Sequence, residues 1–121
     1  MGHITTGQAM ASALVANGQT GVEWGERYDM WTPARQYMVY HGQPRILTEI
    51  ATGGSLAMSA VNSAGNPIGP QQSRANFPVP YGRSTWTLAD QVDYGVTVAL
   101  AGMSHMARYS KEWLYNSRSS E

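Results

Sequence analysis

The sequence predicts one α+β domain over residues 1–121, and three observations predict it. Arg45-Ile-Leu-Thr-Glu-Ile-Ala-Thr52 alternates in the manner of a strand. Ile46, Thr48 and Ile50 share one side, and Arg45, Leu47, Glu49 and Ala51 share the other. Residues 6–16 place Ala9, Met10, Ala13 and Leu14 at three- and four-residue spacing, which predicts a short helix. Near the C-terminus, Leu88, Val92, Ala99, Met103, Met106 and Trp113 fall on one helical stripe, which predicts a long helix from about 88 to 115.

Each element has a local reason to start or stop. Thr5 or Thr6 can cap the first helix, and Asn17-Gly18 stops it, because glycine accepts the left-handed conformation that closes a helix. Residues 19–35 are irregular and carry Trp24, Tyr28, Trp31 and Pro33. Residues 36–41, Gln-Tyr-Met-Val-Tyr-His, are expected to be extended, with Gly42-Gln-Pro44 ending them. From Gly53 to about Thr85 the chain is rich in Gly, Ser, Asn, Pro and Gln. A connection that long without its own structure is unusual in a compact domain. Within it, Phe77-Pro-Val-Pro-Tyr81 is expected to pack as an extended arm. Thr87-Leu-Ala-Asp90 is a capping box for the long helix. Gly95 and Gly102 lie inside that helix, each costing about 1 kcal/mol relative to alanine, and are expected where another element comes close.

Composition limits the function classes. Charged residues make up 13% of the chain, against about 25% in an average domain, and the formal net charge is zero. A neutral, charge-poor surface does not repel its own copies. Lys+Arg equals Asp+Glu, with no basic stripe for nucleic acid. The absence of cysteine excludes disulfides, zinc–thiolate sites and cysteine nucleophiles. No apolar run approaches the roughly 20 residues of a membrane span, and no basic-then-apolar leader predicts a signal peptide. There is no Gly-x-Ser-x-Gly elbow, and Gly65-Asn-Pro-Ile-Gly69 does not continue into the Lys-Ser/Thr of a phosphate loop.

The most informative single residue is Glu49, an acid in an otherwise apolar Leu-Thr-Glu-Ile run. Upstream stand Gly18-Gln-Thr-Gly-Val-Glu-Trp24 and Tyr28-Asp-Met-Trp31; downstream stands Trp86-Thr-Leu-Ala-Asp-Gln-Val-Asp-Tyr94 with its helix. This order resembles the C-terminal portion of the zinc carboxypeptidases, the carboxypeptidase A-like metallopeptidases, and most closely their bacterial branch. The resemblance runs from about residue 6 to residue 116 and is poorest over Gly53–Asn76. It implies a fragment of a mixed α/β sheet flanked by helices, with a peptide as substrate and Glu49 as the general base beside a zinc-bound water. Val22, Glu23 and, by proximity, Tyr28 would stand at the substrate's side-chain pocket. Trp86, Asp90, Asp93 and Tyr94 would be architectural.

The resemblance also implies a zinc ion held by His-x-x-Glu and a later histidine, all upstream of the matched region. In this chain His3 precedes Ile-Thr-Thr, His41 precedes Gly-Gln-Pro and His105 precedes Met-Ala-Arg. None opens a His-x-x-Glu pair, so no metal ligand is assigned and no zinc is expected in the chain alone. One or two strands cannot satisfy their own edges or cover a long amphipathic helix. The chain is therefore expected to pair with its own copies or with a missing upstream domain. It reads as a carboxypeptidase-like segment inactive by itself. The alternatives are a partner-binding or oligomeric module made from it, and a different hydrolase activity at an oligomer interface.

Overall fold

A computed structural model describes residues 2–25, 33–41, 45–50, 72–83 and 86–118. They form four helices: α1 (Gly2–Ala16), α2 (Pro33–Tyr40), α3 (Leu88–Arg108) and α4 (Ser110–Arg118). Among the described residues there is no sheet, which overturns the α+β expectation. The only β-type pairing there is an isolated bridge between Arg74 and Phe77.

The two strand expectations fail for different reasons. Residues 36–41 fall mainly within α2, which opens with Pro33 at its first position. Proline there has its φ already set for a helix and gives up an N–H that no helical bond needs. The following Ala, Arg, Gln and Met are good helix formers and outweigh the β preference of the tyrosines and valine. Residues 45–50 form neither helix nor strand, and no described segment pairs with them; Ala51 and Thr52 of the expected strand lie outside the described residues. A strand is defined by its partner, and the pattern carries no information on whether one is at hand.

The fold is organised by α1 packing across α3. Ala11 and Leu14 of α1 are buried, and Thr6 is fully enclosed. The side of α3 turned inward is lined with small residues, Gly102 above all. A Cβ added there would lie 3.6 Å from the Met10 sulfur, and one at Gly95 would lie 3.4 Å from Ile50 Cδ1. Other elements do approach both glycines, as expected, but with side-chain tips at ordinary contact distance. The expected closing helix breaks into two at Tyr109, whose φ of −109° and ψ of 30° leave helical geometry.

α1 ends in a Schellman motif. Gly18 has φ of 75°, its N–H donates to Val15 O at 2.9 Å, and the Gln19 N–H donates to Leu14 O at 2.9 Å. The chain then runs beside the arm at 76–81. Gly21 N–H donates to Val79 O (2.8 Å) and Trp24 N–H to Asn76 O (3.1 Å), while Phe77 is buried. The arm is packed, as the sequence predicts, and it bends at Val79.

Candidate functional site

The exit from α1 is fastened to α3 by side chains. Gln19 Nε2 donates to Asp93 Oδ2 at 2.6 Å, Asn17 Nδ2 to Thr97 Oγ1 at 3.4 Å, and the Tyr94 hydroxyl to Thr20 O at 2.9 Å. Burial pushes the Tyr94 hydroxyl above its ordinary pKa. The Tyr94 ring meets Trp86 edge-on at 4.8 Å, and Trp86 meets Tyr81 edge-on at 5.6 Å. Beside this cluster, Thr87 and Asp90 form the predicted capping box: Thr87 N–H donates to Asp90 Oδ2 at 2.7 Å and Asp90 N–H to Thr87 Oγ1 at 3.3 Å. Arg83 closes the network on Asp90 at 2.6 Å. Hydrogen bonds from the Thr87 side chain and backbone, then from Arg83, hold the Asp90 carboxyl below its ordinary value. Trp86, Asp90, Asp93 and Tyr94 thus have the architectural work expected of them.

Glu49 is exposed, and the next residue, Ile50, lies over Gly95. Glu23 accepts an ion pair from Arg74 at 2.6 Å and a long hydrogen bond from Asn76 at 3.5 Å, which ties residues 19–25 to the turn that precedes the arm. Val22 is half-buried in that segment. Tyr28 lies outside the described residues. Of the histidines, the His41 ring is stacked at a tilt on Tyr37 and the His105 ring on Tyr109, at 4.4 and 4.7 Å.

Among the described residues no three His, Asp or Glu side chains gather as a metal site requires. The described residues do not fit the zinc that the resemblance implies. No described helix is long and apolar enough to cross a membrane.

Two surface features remain. One is an open cleft of about 540 Å³ between α1 and the arm, lined by Gln8, Ala11, Ser12, Val15, Ala16, Trp24 and Pro78. It contains neither a titratable side chain nor Glu49. The other is the outer face of α3. Val92, Val96, Leu100 and Met103 are between 52% and 59% exposed, and Leu88 and Met106 extend the face in both directions. Leu88, Val92, Met103 and Met106 of the stripe read from the sequence lie on this face, joined by Val96 and Leu100. The pattern finds the most hydrophobic face of a helix, not the one its own chain covers. On the inward face Gly102 is the buried residue of α3, and its signal in the sequence was a glycine inside a helix.

No protein-family profile, curated protein or solved structure matches this chain.

Proposed function

We propose that this chain is an assembly module, derived from a zinc-carboxypeptidase-like hydrolase, that works by binding another polypeptide through α3 and does not catalyse alone. The uncovered apolar stripe of α3 carries the reading. Complete burial of one such side chain contributes about 1.5–3 kcal/mol. Val92, Val96, Leu100 and Met103 are already about half covered, so a partner would add roughly 1 kcal/mol at each. Roughly 4 kcal/mol is large against the 5–15 kcal/mol that holds a whole domain together.

The hydrolase ancestry is supported by the Leu-Thr-Glu-Ile segment and by the order of motifs around it. Glu49 is then the inherited carboxylate, and hydrolysis of a peptide requires a metal-binding part that the described residues do not supply. The exposure of Glu49, outside the cleft, favours binding over catalysis for the chain by itself.

The test has two arms. Purified chain, dialysed against zinc and then against buffer, is expected to retain no stoichiometric metal and to release no C-terminal residue from peptides. Stoichiometric zinc with peptidase activity lost in Glu49→Gln overturns the statement that it does not catalyse alone. In the second arm, light scattering and thermal melts are expected to show assembly or a poorly cooperative melt. A monomer with a sharp, concentration-independent melt overturns the module.

A further inference from the structure

We propose that, whatever covers α3, Met10 is a peroxide-responsive switch: oxidation of its thioether to the sulfoxide releases α1 from α3.

The switch rests on where one sulfur lies. Thr6, Met10 and Leu14 follow at four-residue spacing, so they share one face of α1. Thr6 is fully enclosed and Leu14 is buried, so this face is turned into the fold. Met10 stands between them and over Gly102, the buried residue of α3. A Cβ on Gly102 would lie 3.6 Å from the Met10 sulfur and 3.8 Å from its Cγ and Cε. The thioether therefore lies along the glycine, with the carbons on both sides of the sulfur in the same contact. The packing of α1 on α3 organises the described fold, and the sulfur sits within it. Met10 is only half-buried, which leaves it open to a molecule as small as hydrogen peroxide.

The chemistry is a single oxygen transfer. The sulfur lone pair attacks one peroxide oxygen, the O–O bond breaks and an S–O bond forms. The other oxygen leaves as hydroxide and takes up the proton of the transferred one, so the products are one sulfoxide and one water. The sulfur gives up two electrons and the peroxide accepts them. No cysteine competes for the oxidant. The product replaces a flexible apolar side chain with a polar one. Turned toward α3, the new oxygen meets a helix whose N–H groups are committed to its own backbone, and a buried acceptor without a donor is costly. Turned toward water, it lifts the side chain off Gly102 and forfeits the packing there. Neither orientation keeps the contact. At Met38, Met103 and Met106, which are exposed, the added oxygen faces solvent and breaks no packing. A thiol-dependent sulfoxide reductase reverses the change: two thiols become a disulfide and the oxygen leaves as water.

Hydrogen exchange of the α1 amides reads the release, and mass spectrometry assigns each added oxygen. Peroxide treatment of the full chain is expected to add one oxygen to Met10 and to speed exchange over residues 8–16 by about tenfold or more. The reductase is expected to restore the slow rate. Met10→Leu, close in volume, is expected to keep slow exchange in peroxide. Met103→Leu combined with Met106→Leu is expected to respond as the parent does.

A Met10 left unoxidised after Met103 and Met106 have reacted overturns the proposal. So does an oxidised Met10 with unchanged α1 exchange, or exchange that rises equally in Met10→Leu. Fast exchange that the reductase does not reverse, or α1 amides already unprotected in the untreated chain, overturns it as well.

Discussion

Gly21 shows how much one position can hold. Its φ is 77°, and a Cβ added to it would sit 2.8 Å from Tyr81 Cβ, next to the backbone of the arm. Strained φ and overlap act together, so Gly21→Ala is expected to lower stability by about 2–4 kcal/mol, measured by urea unfolding. Gly18 has nearly the same φ, 75°, but open space where the Cβ would be. Gly18→Ala is expected to cost only about 1–2 kcal/mol. The comparison separates backbone strain from crowding. From sequence, Gly18 was legible as a helix stop; the contact of Gly21 with Tyr81 was not, because it joins segments that only the folded chain brings together. Glu23 teaches the same lesson. Its position pointed to a substrate pocket, whereas its carboxylate pairs with Arg74, fifty-one residues away.

At the scale of the element, the start of α3 was the most legible part of the chain. A capping box lies within four consecutive residues and needs no tertiary context. Thr87→Ala removes one side of it and is expected to destabilise the protein by about 1 kcal/mol. The box also has a pH signature. Asp90 titrates below its ordinary value of 3.8 in the folded state, so its stabilisation is fully present above about pH 4. That contribution is lost as the pH falls through the lower folded value. Asp90→Asn is expected to be less stable than the parent at neutral pH, with the difference vanishing in strong acid; melts across pH 2–7 check it. Other elements were less legible because their outcome depends on partners. The alternation at 45–50 predicted a strand, and no described segment is there to pair with it. The apolar stripe of α3 was found, while the side that α1 covers was left to two glycines.

The whole molecule is an asymmetric arrangement, with a small-residue seam between α1 and α3 and a larger apolar surface turned outward. Among the described residues, α3 turns Gly102 inward and leaves Val92, Val96, Leu100 and Met103 more than half exposed, so covering that surface adds stability. Melting temperature is therefore expected to rise with protein concentration, as mass action requires of a chain stabilised by association; scanning calorimetry over a hundredfold range checks it. A flat response argues for a folded monomer. The class of the fold was the least legible property, because sheet formation is decided by contacts between distant segments.

The seam that fastens residues 17–20 to α3 joins positions 74 to 80 apart in the chain. During synthesis, α1 leaves the ribosome long before its counterpart exists, by about 4–15 s at ordinary elongation rates. A free helix of 15 residues is marginal in water. For those seconds, Ala11 and Leu14 have nothing to pack on, so the nascent chain presents an open binding site for a chaperone before it can close on itself.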